Sequence, residues 1–180
     1  MSDKTHAKWM LQAIAEALKA AAMDEVPVGA VAVVGGKVVM RAHNIREKTH
    51  NPLGHAELLL LEKLAKKEKS WRLTEAAIYV TCEPCLMCAG ALLQARIPML
   101  VFGCMDPKAG ACGSLYNVMQ DERLNHQIEV VRGVLEDECA ELLSDFFRRK
   151  RNPSLCKGGM GRVDLPPLAP PYKGGGGGKK

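Results

Sequence analysis

Gly35-Gly36, set between β-branched runs at residues 30–34 and 37–42, is the strongest hairpin signal in the chain. Around it, helical and extended patterns alternate. An Ala-rich stretch at residues 9–23, with Leu11, Ile14 and Leu18 at helical spacing, precedes it and is broken by Val26-Pro27-Val28-Gly29. A turn is expected at residues 50–54. Residues 56–67 then read as a helix with an apolar face and a basic end. Residues 76–81 form a short strand, and Pro84 suits the first turn of a helix running from about residue 85 to 94. A further strand at 98–102 enters a loop rich in Gly, Ala and Cys, and 127–131 reads as the last strand. Residues 137–151 are acidic early and basic late, which matches a helix dipole. The order α-β-β-α-β-α-β-(α)-β-α predicts an α/β fold, one mixed sheet covered on both faces by helices.

A length of 180 residues suits one domain with a real core, here residues 1–151. Residues 152–180 are dominated by Pro and Gly and carry five basic side chains against one acidic one, so a flexible basic tail is expected. With most of the net charge of +5 in that tail, the domain is not a strongly basic body. Nucleic-acid contact then requires a local patch, such as Arg148-Arg149-Lys150-Arg151. No run approaches the roughly 20 apolar residues of a membrane span. The N-terminus has no apolar run behind a basic start, which points to the cytoplasm. Seven cysteines without an export signal read as thiols or metal ligands.

Two segments carry chemistry: Gly54-His55-Ala56-Glu57 and Glu83-Pro84-Cys85-Leu86-Met87-Cys88. Cys85 and Cys88 are three apart on a predicted helix, so they share a face and can grip one ion. They lie in its first turn, where the positive end of the dipole favours thiolates. His55 also opens a helix and offers an imidazole nitrogen. One nitrogen and two sulfur ligands suit Zn2+, leaving the fourth position for a water whose pKa zinc lowers to about 7. Glu57 is then placed to take that water's proton. A lone His-x-Glu or Cys-x-x-Cys means little. Each half at the start of a helix after a β-segment, with Pro84 directly before Cys85, matches the general signature of zinc nucleobase deaminases.

The pattern resembles the cytidine deaminase superfamily. Glu25-Val26-Pro27-Val28-Gly29-Ala30, Asn44, Cys88-Ala89-Gly90-Ala91, Phe102-Gly103 with Asp106 and Lys108, residues 110–114, Asp137-Glu138-Cys139-Ala140 and Leu142-Leu143-Ser144-Asp145-Phe146-Phe147 extend the likeness to its bacterial tRNA-specific adenosine deaminases, over about residues 7–151. The resemblance implies a three-layer α-β-α sandwich around a central mixed five-stranded sheet, bound Zn2+ and a homodimer. It implies a tRNA anticodon stem-loop as partner, whose splayed wobble adenosine becomes inosine. Glu57 would move protons from the water to N1 and help ammonia leave. Asn44 would hydrogen-bond the flipped base, Asp106 and Lys108 would contact the anticodon loop, and Phe147, Arg148 and Lys150 would pack on the RNA. Their plainer readings are a turn residue closing the second strand, a polar loop around Pro107, a core aromatic pair and a solvated helix end.

Cys82 departs from the resemblance. It creates Cys82-x-x-Cys85-x-x-Cys88, a spacing compatible with a fourth zinc ligand or an iron–sulfur run, or it is a small strand residue. Cys104, Cys112 and Cys139 read as packing thiols, and Met105 and Leu53-Gly54 also depart from the family. Two rival functions follow. A deaminase of free guanine or cytosine would share the metal and Glu57 but not the RNA-contacting set. A structural-zinc RNA adaptor would need Cys82 to close the site and would give Glu57 no role.

Overall fold

The computed structural model describes residues 3–152. The expected tail, apart from Asn152, lies outside the described residues. The chain forms helix α1 (Asp3–Ala22), strands β1 (Gly29–Val34) and β2 (Lys37–His43), a short helix α2 (Arg46–Thr49), helix α3 (Ala56–Glu68) and strand β3 (Ala77–Cys82). Helix α4 (Leu86–Gln94), strand β4 (Met99–Cys104), a 3-10 turn (Val118–Gln120), strand β5 (Glu129–Val131) and helix α5 (Glu136–Arg151) complete it. The Gly35-Gly36 turn forms as expected, with φ of +55° and +72° and Val34 paired to Lys37.

The five strands lie in the order β2-β1-β3-β4-β5, antiparallel through β2-β1-β3 and parallel through β3-β4-β5. Side chains alternate across this sheet as a period of two requires. Ala30, Ala32, Ile78, Val80, Leu100 and Phe102 face a core shared with Leu60, Leu61 and Leu64 of α3 and Ala89, Leu92 and Leu93 of α4. Val31, Val33, Tyr79 and Val101 face the opposite core, with Met10, Ala13, Ile14 and Ala17 of α1 and Cys139 and Leu142 of α5. Three layers result, the expected α-β-α sandwich. Among the described residues no helix is long and apolar enough to cross a membrane.

Four local expectations need correction. Helix α1 begins at Asp3 rather than near residue 9, because its first turns bury a polar side chain: His6 bonds the Tyr79 hydroxyl through Nδ1 at 3.0 Å. The short helix α2 stands before the 50–54 turn, where the sequence suggests no element. It buries none of its own residues, so it leaves no apolar period. It is held from a distance by Glu25, whose carboxylate accepts from the N–H groups of Glu47 (3.1 Å) and Lys48 (2.6 Å). Strands β3 and β4 run on to Cys82 and Cys104. Pro84 lies before the Cys85 N-cap of α4 rather than inside its first turn.

Helix α1 packs tightly on β1 because Gly29 has no side chain; a Cβ there would stand 2.2 Å from the Ala13 carbonyl oxygen. One turn further along α1, Glu16 is buried. Burial pushes its carboxyl up, but Lys19 at 2.6 Å and His43 at 2.9 Å outweigh this and hold it below its ordinary value. Stability gained from a depressed carboxyl exists above the unfolded-state pKa and is lost as pH falls through the folded one. The difference in thermal midpoint between wild type and Glu16→Gln should therefore be widest at neutral pH and shrink below about pH 4. A difference constant through the acid range would show that the Glu16 charge contributes nothing.

Candidate active site

Helices α3 and α4 start side by side, and each starts in the same way. Their N-cap residues, His55 and Cys85, have extended backbones with ψ of 143° and 171°. Neither makes a side-chain capping hydrogen bond, and both side chains face the space between the two N-termini. Cys88, fully buried in the first turn of α4, faces the same space. The His55 Nδ1 lies 3.6 Å from the Cys88 sulfur and 3.9 Å from the Cys85 sulfur, and all three ligand atoms fall within 4.8 Å of one another. Bonds of about 2.1 Å to nitrogen and about 2.3 Å to sulfur at a tetrahedral angle put the two donors about 3.6 Å apart. The residues thus fit one tetrahedral ion in donor type and in spacing.

The electrostatics divide the three ligands. A hydrogen bond from the Cys88 thiol, with His55 beside it, draws Cys85 down to about 4. The same contact with Cys85, and burial, push the Cys88 thiol up. His55 is raised by its bond to Cys85 against the effect of burial. Glu57, second residue of α3 and only 4 % exposed, has its carboxyl pushed up by burial, with its own backbone N–H and His55 opposing. A protonatable carboxyl thus stands beside Cys88 without joining the ligand set.

The cluster opens into a cavity of about 560 Å³, lined by His55, Glu57 and Cys85 and walled by Val28, Asn44 and Asp106 among others. A volume of this order holds a purine nucleoside.

The profile of the MafB19-like deaminases matches residues 4–151. A tRNA-specific adenosine deaminase of Bacillus subtilis (strain 168) is 51 % identical over 143 residues, covering 79 % of this chain and 89 % of the relative. The chain belongs to the tRNA-specific adenosine deaminase family. A solved structure from studies of A-to-I editing by tRNA:A34 deaminases at the wobble position superposes with a TM-score of 0.72 at 38 % identity, covering 75 % of this chain and 98 % of that one. Guanine deaminase from Nitrosomonas europaea shares the fold, with a TM-score of 0.68 at 21 % identity over 77 % of this chain and 82 % of its own.

In this deaminase Asn44 takes the plainer of its two expected roles and also lines the cavity. It follows β2 and closes it, and its Oδ1 accepts the Ala56 N–H (2.8 Å) at the start of α3. The group it can offer the cavity is therefore its amide N–H. Asp106 and Lys108 line the cavity too, and the Asp106 carboxylate caps its own loop by accepting from the N–H groups of Lys108 (2.9 Å) and Ala109 (3.2 Å). Phe147, 44 % exposed, stands at the cavity rim, with Phe146 edge-on behind it. Arg148 and Lys150 do not line the cavity. Arg148 pairs with Asp145 and Lys150 with Asp24, each at 2.5 Å. Cys82 ends β3 beside Cys104 and lies outside the metal cluster.

Sequence reasoning missed two carboxylates. Glu25 fixes α2 and so the cavity wall at Arg46. Glu83, buried just before Pro84, accepts from the N–H groups of Asp106 (3.0 Å), Cys112 (2.8 Å) and Ser114 (3.0 Å) and from the Ser114 hydroxyl. Burial pushes its carboxyl up, yet these bonds outweigh it and leave it below its ordinary value. The signal available was a charged residue abutting the Pro-Cys-x-x-Cys turn. Glutamine cannot accept from all four donors, so Glu83→Gln should lower stability by about 2 kcal/mol, or roughly 5 °C in thermal midpoint. It should also raise KM for the RNA while leaving metal content intact. An unchanged midpoint and KM would remove Glu83 as the anchor of this loop.

Proposed function

We propose that this chain hydrolyses the wobble adenosine of a tRNA anticodon to inosine and ammonia, with Zn2+ held by His55, Cys85 and Cys88 and Glu57 as the proton carrier. The observation that carries this reading is the His55–Cys85–Cys88 cluster with buried Glu57 at the base of a nucleoside-sized cavity, in a chain 51 % identical to a tRNA-specific adenosine deaminase. When bound, zinc supplies a Lewis acid that makes a water nucleophilic at neutral pH. Glu57 takes the proton of the attacking water, delivers it to N1 of the adenine and then assists the departing ammonia. The upward push of burial on its carboxyl suits a group that must hold a proton between those two transfers. The Asn44 amide N–H donates to the base and fixes its orientation, and Val28 packs against it.

An anticodon loop presents its bases without a duplex to melt, so the adenosine enters at small cost. Lys108 and Phe147 meet the neighbouring phosphates and bases, a reading supported by their positions in the cavity lining and by the exposure of Phe147. Arg148 and Lys150 contribute at longer range, since their exposed ion pairs with Asp145 and Asp24 exchange readily for phosphate. The catalytic unit is residues 1–151, with 152–180 as an appended basic segment, and the working form is a cytoplasmic homodimer. Exposed Leu86 and Met87 on α4, with Leu115 and Tyr116 nearby in sequence to the Glu83-anchored loop, give that dimer an apolar surface.

Zinc-loaded protein should form inosine in an anticodon stem-loop and leave free adenosine, cytidine and guanine untouched. Turnover of a free base alone would move the chain to the small-molecule deaminases. Glu57→Gln should retain stoichiometric zinc by metal analysis and lose turnover by roughly a thousandfold or more. Retained activity would take Glu57 out of the reaction.

A further inference from the structure

Two thiols in the cavity wall are unused by the reaction described above. Cys82 ends β3 and Cys104 ends β4, and the two are register partners on adjacent parallel strands. Neighbouring strands lie about 4.8 Å apart, inside the span of about 4.4–6.8 Å between Cα atoms that a disulfide accepts. The two side chains sit in the same buried cluster, and the Cys104 thiol donates to the Thr81 carbonyl oxygen at 3.5 Å. Both line the cavity although they are only 8 % and 4 % exposed, so a small solute in the cavity reaches them and a large reagent in solvent does not. Neither belongs to the metal cluster.

We propose that Cys82 and Cys104 are a dithiol–disulfide couple built into the cavity wall, oxidised by small hydroperoxides that enter through the cavity. The Cys104 sulfur attacks one peroxide oxygen, the O–O bond breaks, and the other oxygen takes the thiol proton and leaves as water from hydrogen peroxide or as the alcohol from an alkyl hydroperoxide. The resulting sulfenic acid is attacked by the Cys82 sulfur, the S–O bond breaks, and a water carries away the remaining proton as the S–S bond forms. Two thiols lose two electrons and the peroxide gains them; an exogenous dithiol reverses the step by exchange. The division of labour follows the surroundings. The neighbouring Cys82 thiol holds Cys104 below the ordinary thiol range, and the closeness of Cys104 together with burial pushes Cys82 up. The other buried thiols outside the metal site are poorer nucleophiles and do not line the cavity: burial pushes Cys112 up to about 12 and pushes Cys139 up as well. The new bond would join the residue before Glu83 to the residue before Met105, linking the root of the metal-binding turn to the root of the Asp106 loop.

The test is to treat zinc-loaded full-length protein with a few equivalents of hydrogen peroxide, block remaining thiols, and map the unreduced digest by mass spectrometry beside a zinc assay. The expected result is a peptide pair joined through Cys82 and Cys104, with zinc still bound and the link removed by dithiothreitol. Cys82→Ser should give no link and should instead leave Cys104 as a sulfenic acid that dimedone traps. Alkylatable Cys82 and Cys104 alongside a Cys85–Cys88 link and released zinc would overturn the proposal. So would a link from Cys104 to any other cysteine. The wild-type map decides the matter even if the Cys82→Ser chain does not fold.

Discussion

Helices α3 and α4 belong to different stretches of the chain, yet their N-termini converge on one point beside the sheet. Backbone N–H groups at a helix start are unpaired and carry partial positive charge. Two such ends placed together would repel unless negative charge were set between them. Here that charge comes from the Cys85 thiolate, and Glu57 supplies a carboxyl at the start of α3. The site is thus a solution to a packing problem as well as a chemical device. The strand order brings the two helices onto one face, their approach demands electron-rich groups, and the same groups form a ligand set and a proton carrier.

Much of this was readable from the sequence because the chemistry is local. His55 and Glu57 are two residues apart and Cys85 and Cys88 three, so each half of the cluster declares itself without knowledge of the fold. The strands were legible through β-branched runs and Gly35-Gly36, and the helices through apolar spacing. What escaped was long-range. Nothing near Arg46 announces a helix whose N-terminus is held by Glu25, some twenty residues upstream. Nothing near His6 announces that it is buried against Tyr79. Cys82 looked ambiguous because its neighbour Cys104 comes from the next strand, a contact set by register rather than by spacing. Arg148 and Lys150 were read as a basic patch; Asp145 stands three residues before Arg148 on the same helix, but Asp24, the partner of Lys150, becomes apparent only once α5 is placed near the end of α1.

The two carboxylates that sequence reasoning missed do parallel work. Glu25 and Glu83 each sit below a loop and hold it through charge-assisted bonds to backbone N–H groups, to which Ala111 and Cys112 add core contacts on the Glu83 side. Loops over a substrate cavity cannot bury much apolar surface without closing it. Anchoring them from beneath through buried carboxylates leaves their upper faces polar and accessible. Glu25 serves the side of the cavity near Arg46 and Asn44, and Glu83 serves the side near Asp106 and Lys108.

Three of the four bonds that Glu83 accepts come from the main chain, at Asp106, Cys112 and Ser114. Every residue except proline carries that donor. The anchor therefore reads the course of the loop and is nearly blind to its side chains except at Gly110, where a Cβ would stand 2.3 Å from a Glu83 carboxylate oxygen. Evolution can rewrite the outward side chains of this loop, Met105 and Lys108 included, without loosening its attachment to the metal-binding turn. Diversification of substrate preference is in this way decoupled from preservation of the chemistry, and relatives that share the catalytic centre are free to differ at the rim.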